Sequence, residues 1–117
     1  MALAINVDKN CEELKIGRDI YLRILNKAVA QTTGDIVDLE KAMNGGDWDT
    51  VQKLSHRLKG DYDNMRITDL SSVARTMNVI VKSGNINQAE LTGLFTVLSG
   101  VFKELKKFCE NSGMGCR

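Results

Sequence analysis

The chain has 117 residues, enough for one compact domain around a single core. Hydrophobic residues make up 43% and charged residues 26%, the balance of a soluble globular protein. A formal net charge of +1 excludes a strong field for nucleic acid or an anionic membrane, and no apolar run approaches the roughly 20 residues that span a bilayer.

There is no proline, and apolar residues recur at intervals of three and four, which predicts an all-helical protein. Residues 1–9 are expected as a loose arm. Asn10 and Glu13 have capping-box spacing for a short helix over residues 11–16, ended by Gly17. Asp19 is placed to cap a second helix that turns Ile20, Tyr21, Ile24, Leu25 and Ala28 inward. Thr32, Thr33 and Gly34 predict a kink or short break. Helical spacing then resumes with Ile36, Leu39 and Met43.

Gly45 and Gly46 are the clearest stop signal, and Asp47 is the expected N-cap of the next helix. Trp48 should anchor the start of that helix, with Val51, Leu54, Leu58, Tyr62 and Met65 as its inner stripe. Thr68 or Asp69 is expected to cap a further helix with Leu70, Val73, Ala74, Met77 and Ile80 or Val81 inside. Ser83, Gly84 and Asn85 turn the chain, and Asn87 with Glu90 repeats the capping-box spacing. The last helix carries Leu91, Leu94, Leu98, Val101, Phe102, Leu105 and Phe108 on one face. Residues 111–117, with two glycines, are expected as a frayed tail. Short connections force antiparallel neighbours. The predicted fold is therefore all-α, an antiparallel up-down-up-down four-helix bundle with a short extra N-terminal helix, over residues 10–110.

Three cysteines, Cys11, Cys109 and Cys116, with no CxxC spacing argue against a disulfide framework. With a single histidine, a Cys/His metal site is hard to build, so no metal and no bound cofactor is expected. The N-terminal stretch is too short and too soon polar for a signal peptide, which makes the cytoplasm the expected location.

That single histidine is His56, in Ser55-His56-Arg57-Leu58-Lys59-Gly60. At about 100° per residue it falls roughly 160° from the middle of the inner stripe, so its ring should face water with no pocket around it. Lys59, Gly60 and Asp63 fall on the same outward side, and Lys53 lies near it. Neutral imidazole has a ring nitrogen with a free lone pair near pH 7, and attack on a phosphoryl group gives a phosphoramidate. Lys59, one turn on, can neutralise the incoming negative charge. Gly60 leaves bare backbone beside the ring for another protein's surface. There is no P-loop, no G-x-G-x-x-G loop and no evident magnesium-binding carboxylate cluster, so the chain should carry a phosphoryl group without kinase or ATPase activity of its own.

His56-Arg57-Leu58-Lys59-Gly60 resembles the H-x-L-K-G core of the histidine-containing phosphotransfer (HPt) domains of multistep phosphorelays. The stretch from Asp35 to Met43, followed by Gly46-Asp47-Trp48, resembles the helix and turn that precede the active helix in that family. Ile16-Gly17-Arg18-Asp19 resembles its N-terminal turn, and the likeness runs from about Ile5 to Phe108. The resemblance implies that His56 accepts a phosphoryl group from a receiver-domain aspartate and passes it to an aspartate on another receiver. It implies response-regulator receiver domains and a hybrid sensor kinase as partners, with Mg2+ held by the receiver, Lys59 on the phosphoryl oxygens and Gly60 giving access. Gln52, Lys53, Arg57, Asp63 and Asn64 are the residues a docked receiver would meet.

Two departures stand out. Arg66 occupies a position where the family often has glycine. Asp63 could pair with Lys59 at i+4, weakening its hold on phosphate, or discriminate among receivers by repulsion. Two other functions compete with the carrier. One is an HPt-like interaction module that is never phosphorylated. The other is an enzyme with His56 as general base, which needs a cleft and a carboxylate to orient the ring.

Overall fold

The computed structural model describes residues 5–111. Five helices follow one another: α1 (Val7–Leu14), α2 (Arg18–Asn44), α3 (Trp48–Asn64), α4 (Thr68–Ser83) and α5 (Gln88–Asn111). Helix α2 packs on α3, α3 on α4, α4 on α5 and α5 back on α2, while α1 lies against α2. Thr32 opposes Tyr62 and Asp35 opposes Arg57, so residue numbers on α2 and α3 run in opposite senses. The result is the antiparallel four-helix bundle with a short N-terminal helix, and the described residues contain no strand. None of the helices among the described residues is long and apolar enough to cross a membrane.

The core is built largely from the predicted stripes, with Val29 added on α2. Leu25, Val29, Leu39, Val51, Leu58, Leu70, Ala74, Met77, Leu91, Leu98 and Leu105 are fully buried. Each large side chain removed from water contributes about 1.5–3 kcal/mol. Cys11 and Cys109 are buried and not disulfide-bonded, and Cys116 lies outside the described residues.

The helix ends share one device. After α1, α2 and α3 a residue with positive φ reverses the backbone: Lys15 (57°), Gly46 (69°) and Arg66 (62°). At each end the paired bonds of a Schellman motif form, as in Ile67 N to Tyr62 O at 2.8 Å and Arg66 N to Asp63 O at 3.0 Å. Arg66 therefore takes the left-handed conformation that favours glycine, so the turn keeps its backbone shape with arginine in glycine's place. Its side chain bonds the Asp63 carbonyl at 3.1 Å and Glu13 at 3.3 Å.

Several local expectations are corrected. Helix α1 starts at Val7, so Val7, Asp8 and Lys9 are not part of an arm, and its N-cap is Asn6, which accepts from the Lys9 N–H at 3.0 Å. Asn10 is not a cap. It is buried and donates to the Tyr21 hydroxyl at 3.1 Å. The left-handed turn falls on Lys15, and Gly17 instead precedes α2 as its N-cap, leaving Asp19 in the first turn. Ile20 and Ile24 are about half exposed, at 50% and 47%, because Tyr21, Leu22, Leu25 and Val29 form the inner stripe. The Tyr21 hydroxyl sets that rotation by donating to the Met65 carbonyl at 2.7 Å. No break occurs at Thr32–Gly34. The Thr32 and Thr33 hydroxyls bond back to the Ala28 and Val29 carbonyls at 2.8 and 3.0 Å, so the polar side chains are satisfied within one continuous helix. Neither Thr68 nor Asp69 caps α4. Its cap is Ile67, without a side-chain bond, whose side chain is buried instead. Asn111 is helical, and residues 1–4 and 112–117 lie outside the described residues.

Two tyrosines tie α2 to the far end of α3. Thr32 spends its proton on Ala28, so the Tyr62 hydroxyl donates to Thr32 at 2.6 Å. Burial pushes that hydroxyl well above the usual tyrosine range, which keeps it a donor. A Tyr21→Phe protein leaves the Met65 carbonyl and the Asn10 amide without their partner. We expect a loss of about 1–3 kcal/mol, read as a lower urea midpoint with unchanged slope.

Candidate functional site

Asp47 starts the helix on which the site is built. Its carboxylate accepts from the Thr50 N–H at 3.2 Å and the Thr50 hydroxyl at 2.7 Å, and these bonds hold its carboxyl below the usual aspartate range. From that cap the α3 register follows. Val51, Leu54, Ser55, Leu58 and Tyr62 are buried, and Met65 just past the helix is buried with them. His56 is left on the exposed side, as the spacing required. Its imidazole has no hydrogen bond and no ion pair among the described residues.

One part of the expectation fails, because the ring is not on a featureless surface. His56 lines an open depression of about 220 Å3 between α3 and α4, together with Gln52, Lys53, Asn78 and Lys82. Asn78 is buried and stitches the two helices together here. Its amide donates to the Gln52 carbonyl at 3.0 Å and to the Ser55 hydroxyl at 3.2 Å. The lining has two lysines, two amides and the imidazole, and no carboxylate. Lys53 also pairs with Asp49 at 3.2 Å, an exposed contact of small energetic weight. A larger open hollow of about 800 Å3 lies between Trp48, Val79, Ile80 and Ile86. Glu90 is the one ionisable side chain in its lining, so the chemistry does not sit there.

Lys59 is half-buried one turn after His56, and its ammonium has no hydrogen bond or ion pair among the described residues. Side chains at this spacing stand about 5–6 Å apart at Cβ. Gly60 has ordinary helical φ, and a Cβ added there would meet nothing within 4 Å. Neither backbone conformation nor packing within this chain requires a glycine at that place.

The remaining candidates divide between two flanks. Gln52 and Lys53 share the depression with His56. Asp63 turns toward α4, where its carboxylate meets Arg75 at 2.8 Å; of the two roles considered for it, the pair with Lys59 does not form. Arg57 faces α2 and pairs with the buried Asp35 carboxylate. Burial pushes the Asp35 carboxyl up, and the Arg57 charge works against that rise. Asn64 is exposed on the same α2 flank, beside Ile24, Lys27, Gln31 and Asp61. Arg57 and Asn64 are thus separated from the ring, whereas Gln52 and Lys53 stand next to it.

Asn78 and Lys82 were absent from the expected set. Their spacing puts both on one flank of α4, but no local pattern says that this flank faces His56. The join depends on how α3 and α4 pack. A polar flank on the helix after the histidine is the one signal that could have pointed to them.

Among the described residues, no three histidine, cysteine, aspartate or glutamate side chains converge as metal ligands. The model of the Hpt domain family matches residues 23–110, which includes all of α3 and α4. No curated protein and no solved structure matches the chain.

Proposed function

The chain belongs to the Hpt domain family, and from that premise we propose that His56 is the phosphoacceptor of a phosphocarrier. Hpt domains act in histidine phosphotransfer within phosphorelays, bind receiver domains and kinases, and are carriers rather than enzymes. The observation that carries the proposal is an exposed, unbonded imidazole beside a depression whose lining is cationic and amide, with no carboxylate. In the proposed reaction, the lone pair of an unprotonated ring nitrogen attacks the phosphorus of an aspartyl phosphate on a receiver. The N–P bond forms, the acyl P–O bond breaks, and the receiver's aspartate leaves as carboxylate. Reversal of the step onto a second receiver completes the relay.

Negative charge gathers on the transferring oxygens, and an unpaired cation nearby stabilises it. Lys59 takes that role, with Lys82 and Lys53 across the depression adding positive potential. Gly60 admits the receiver to close range. Gln52, Lys53 and Asp63 form the near part of the docking face, and Arg57 and Asn64 its α2 edge. The receiver supplies Mg2+ and the remaining catalytic groups; this chain is proposed to bind none. A hybrid sensor kinase upstream and a cytoplasmic location complete the proposal.

The test is incubation with a phosphorylated receiver domain, following both binding and label. Transfer of label supports the carrier. Tight binding with no transfer overturns it in favour of an interaction module. In the same assay Lys59→Ala is expected to slow transfer by about tenfold, less than the roughly 10²–10³ lost with one preorganised donor in a closed site, because this site is open to water. Helix content and melting should stay close to wild type. A large loss of fold would place Lys59 in the packing instead.

A further inference from the structure

Asp63 lies four residues after Lys59 on one face of α3, the spacing at which helical ion pairs form. A Lys59–Asp63 pair would give the ammonium a resident counterion and leave less of it for a phosphoryl group. The structure holds the carboxylate elsewhere. Asp63 Oδ2 lies 2.8 Å from Arg75 Nη2, across the α3–α4 seam. The Ser71 hydroxyl and then the Arg75 guanidinium keep the Asp63 carboxyl below its ordinary range, and Lys59 contributes least. Asp63 is also two turns from His56 on its outward side, where an uncompensated negative charge would repel an incoming phosphoryl group.

We propose that Arg75 is a positioning residue for phosphotransfer: by holding Asp63 across the seam it keeps the Lys59 ammonium unpaired and compensates a carboxylate on the phosphoacceptor's outward side. The proposal rests on His56 being the phosphoacceptor. Arg75 touches neither the ring nor the phosphoryl group. It acts through Asp63, and its effect should vanish when that carboxylate is removed.

The test uses phosphoramidate as donor, so that receiver docking plays no part. The donor's P–N bond breaks, ammonia leaves, and the phosphorus bonds to the His56 ring nitrogen. Arg75→Gln is expected to slow labelling by about two- to fivefold, the scale of an exposed ion pair, and the deficit should shrink in high salt. Asp63→Asn in the Arg75→Gln background should restore the wild-type rate, and Arg75→Lys should retain most of it. NMR of the Lys59 side chain gives a readout independent of transfer. Its terminal methylene resonances should shift in Arg75→Gln, as the ammonium gains Asp63, and return in the double variant. A wild-type rate in Arg75→Gln, or a deficit that Asp63→Asn does not restore, overturns the positioning role. A wild-type protein that takes up no phosphoryl group overturns the phosphoacceptor reading beneath it, an outcome distinct from either.

Discussion

A His56→Gln protein is expected to take up no phosphoryl group from any donor while melting within about 3 °C of wild type. The first half follows from chemistry. Glutamine keeps a polar, hydrogen-bonding side chain of similar reach, but its amide nitrogen has no available lone pair for attack on phosphorus. The second half follows from the surroundings of the ring. His56 is exposed and makes no hydrogen bond among the described residues, so its loss leaves no partner stranded. Glutamine is also at least as good a helix former as histidine. Surface substitutions of this kind change stability by about 0.5 kcal/mol or less, which sets the small melting shift. Label uptake and a circular-dichroism melt on the same preparation check both halves. Retained labelling would move the acceptor to another residue, and a collapse of the fold would mean that the ring is part of the packing.

The second large effect is expected at Gly60, where stability and function should move in opposite directions. Glycine inside a helix costs about 0.8–1.0 kcal/mol relative to alanine, and a Cβ at position 60 would meet nothing within 4 Å. Gly60→Leu should therefore raise stability by about 0.5–1 kcal/mol. A leucine there would project into the space a docked receiver occupies, and overpacking a close contact costs roughly 1–3 kcal/mol. Transfer from a phosphorylated receiver should drop by about tenfold or more, whereas labelling by phosphoramidate should stay near wild type. Gly60→Ala should fall between the two. Paired rate measurements with the two donors, beside a urea titration, separate access from chemistry. Unimpaired transfer from the receiver would remove the explanation given for this glycine.

What could be read from the sequence depended on how locally each feature is determined. Asp47, Gly84 and Asn87 each work within a few residues, and each took its predicted place. The α3 stripe was legible because Val51, Leu54, Leu58, Tyr62 and Met65 repeat without a competing apolar face, and it alone was enough to expose His56. At the N-terminus two asparagines competed for one role. Asn6 became the cap because Tyr21, eleven residues beyond Asn10, draws Asn10 into the core. Ile20 and Ile24 looked as apolar as Tyr21 and Leu25. Only the bond from Tyr21 to Met65, 44 residues away, settles which pair turns inward. Thr32 reads as a helix breaker by propensity, yet Tyr62 gives its hydroxyl a use on the bundle's inner side. The site divides in the same way. His56, Lys59 and Gly60 sit within one turn and declared themselves. Asn78, Lys82 and Arg75 reach α3 only through packing, and nothing in their own neighbourhood marks them.

The central claim is that a ring nitrogen of His56 carries the phosphoryl group. The most direct test is to mix the chain with a receiver domain phosphorylated on aspartate, isolate the chain, and locate the added mass by fragmentation after acid and alkali treatment. A single phosphoryl group on His56 is expected, lost in acid, kept in alkali, and returned to a second receiver on mixing. A chain that binds the receiver yet stays unmodified, or one whose phosphate survives acid on a serine or threonine, would contradict it.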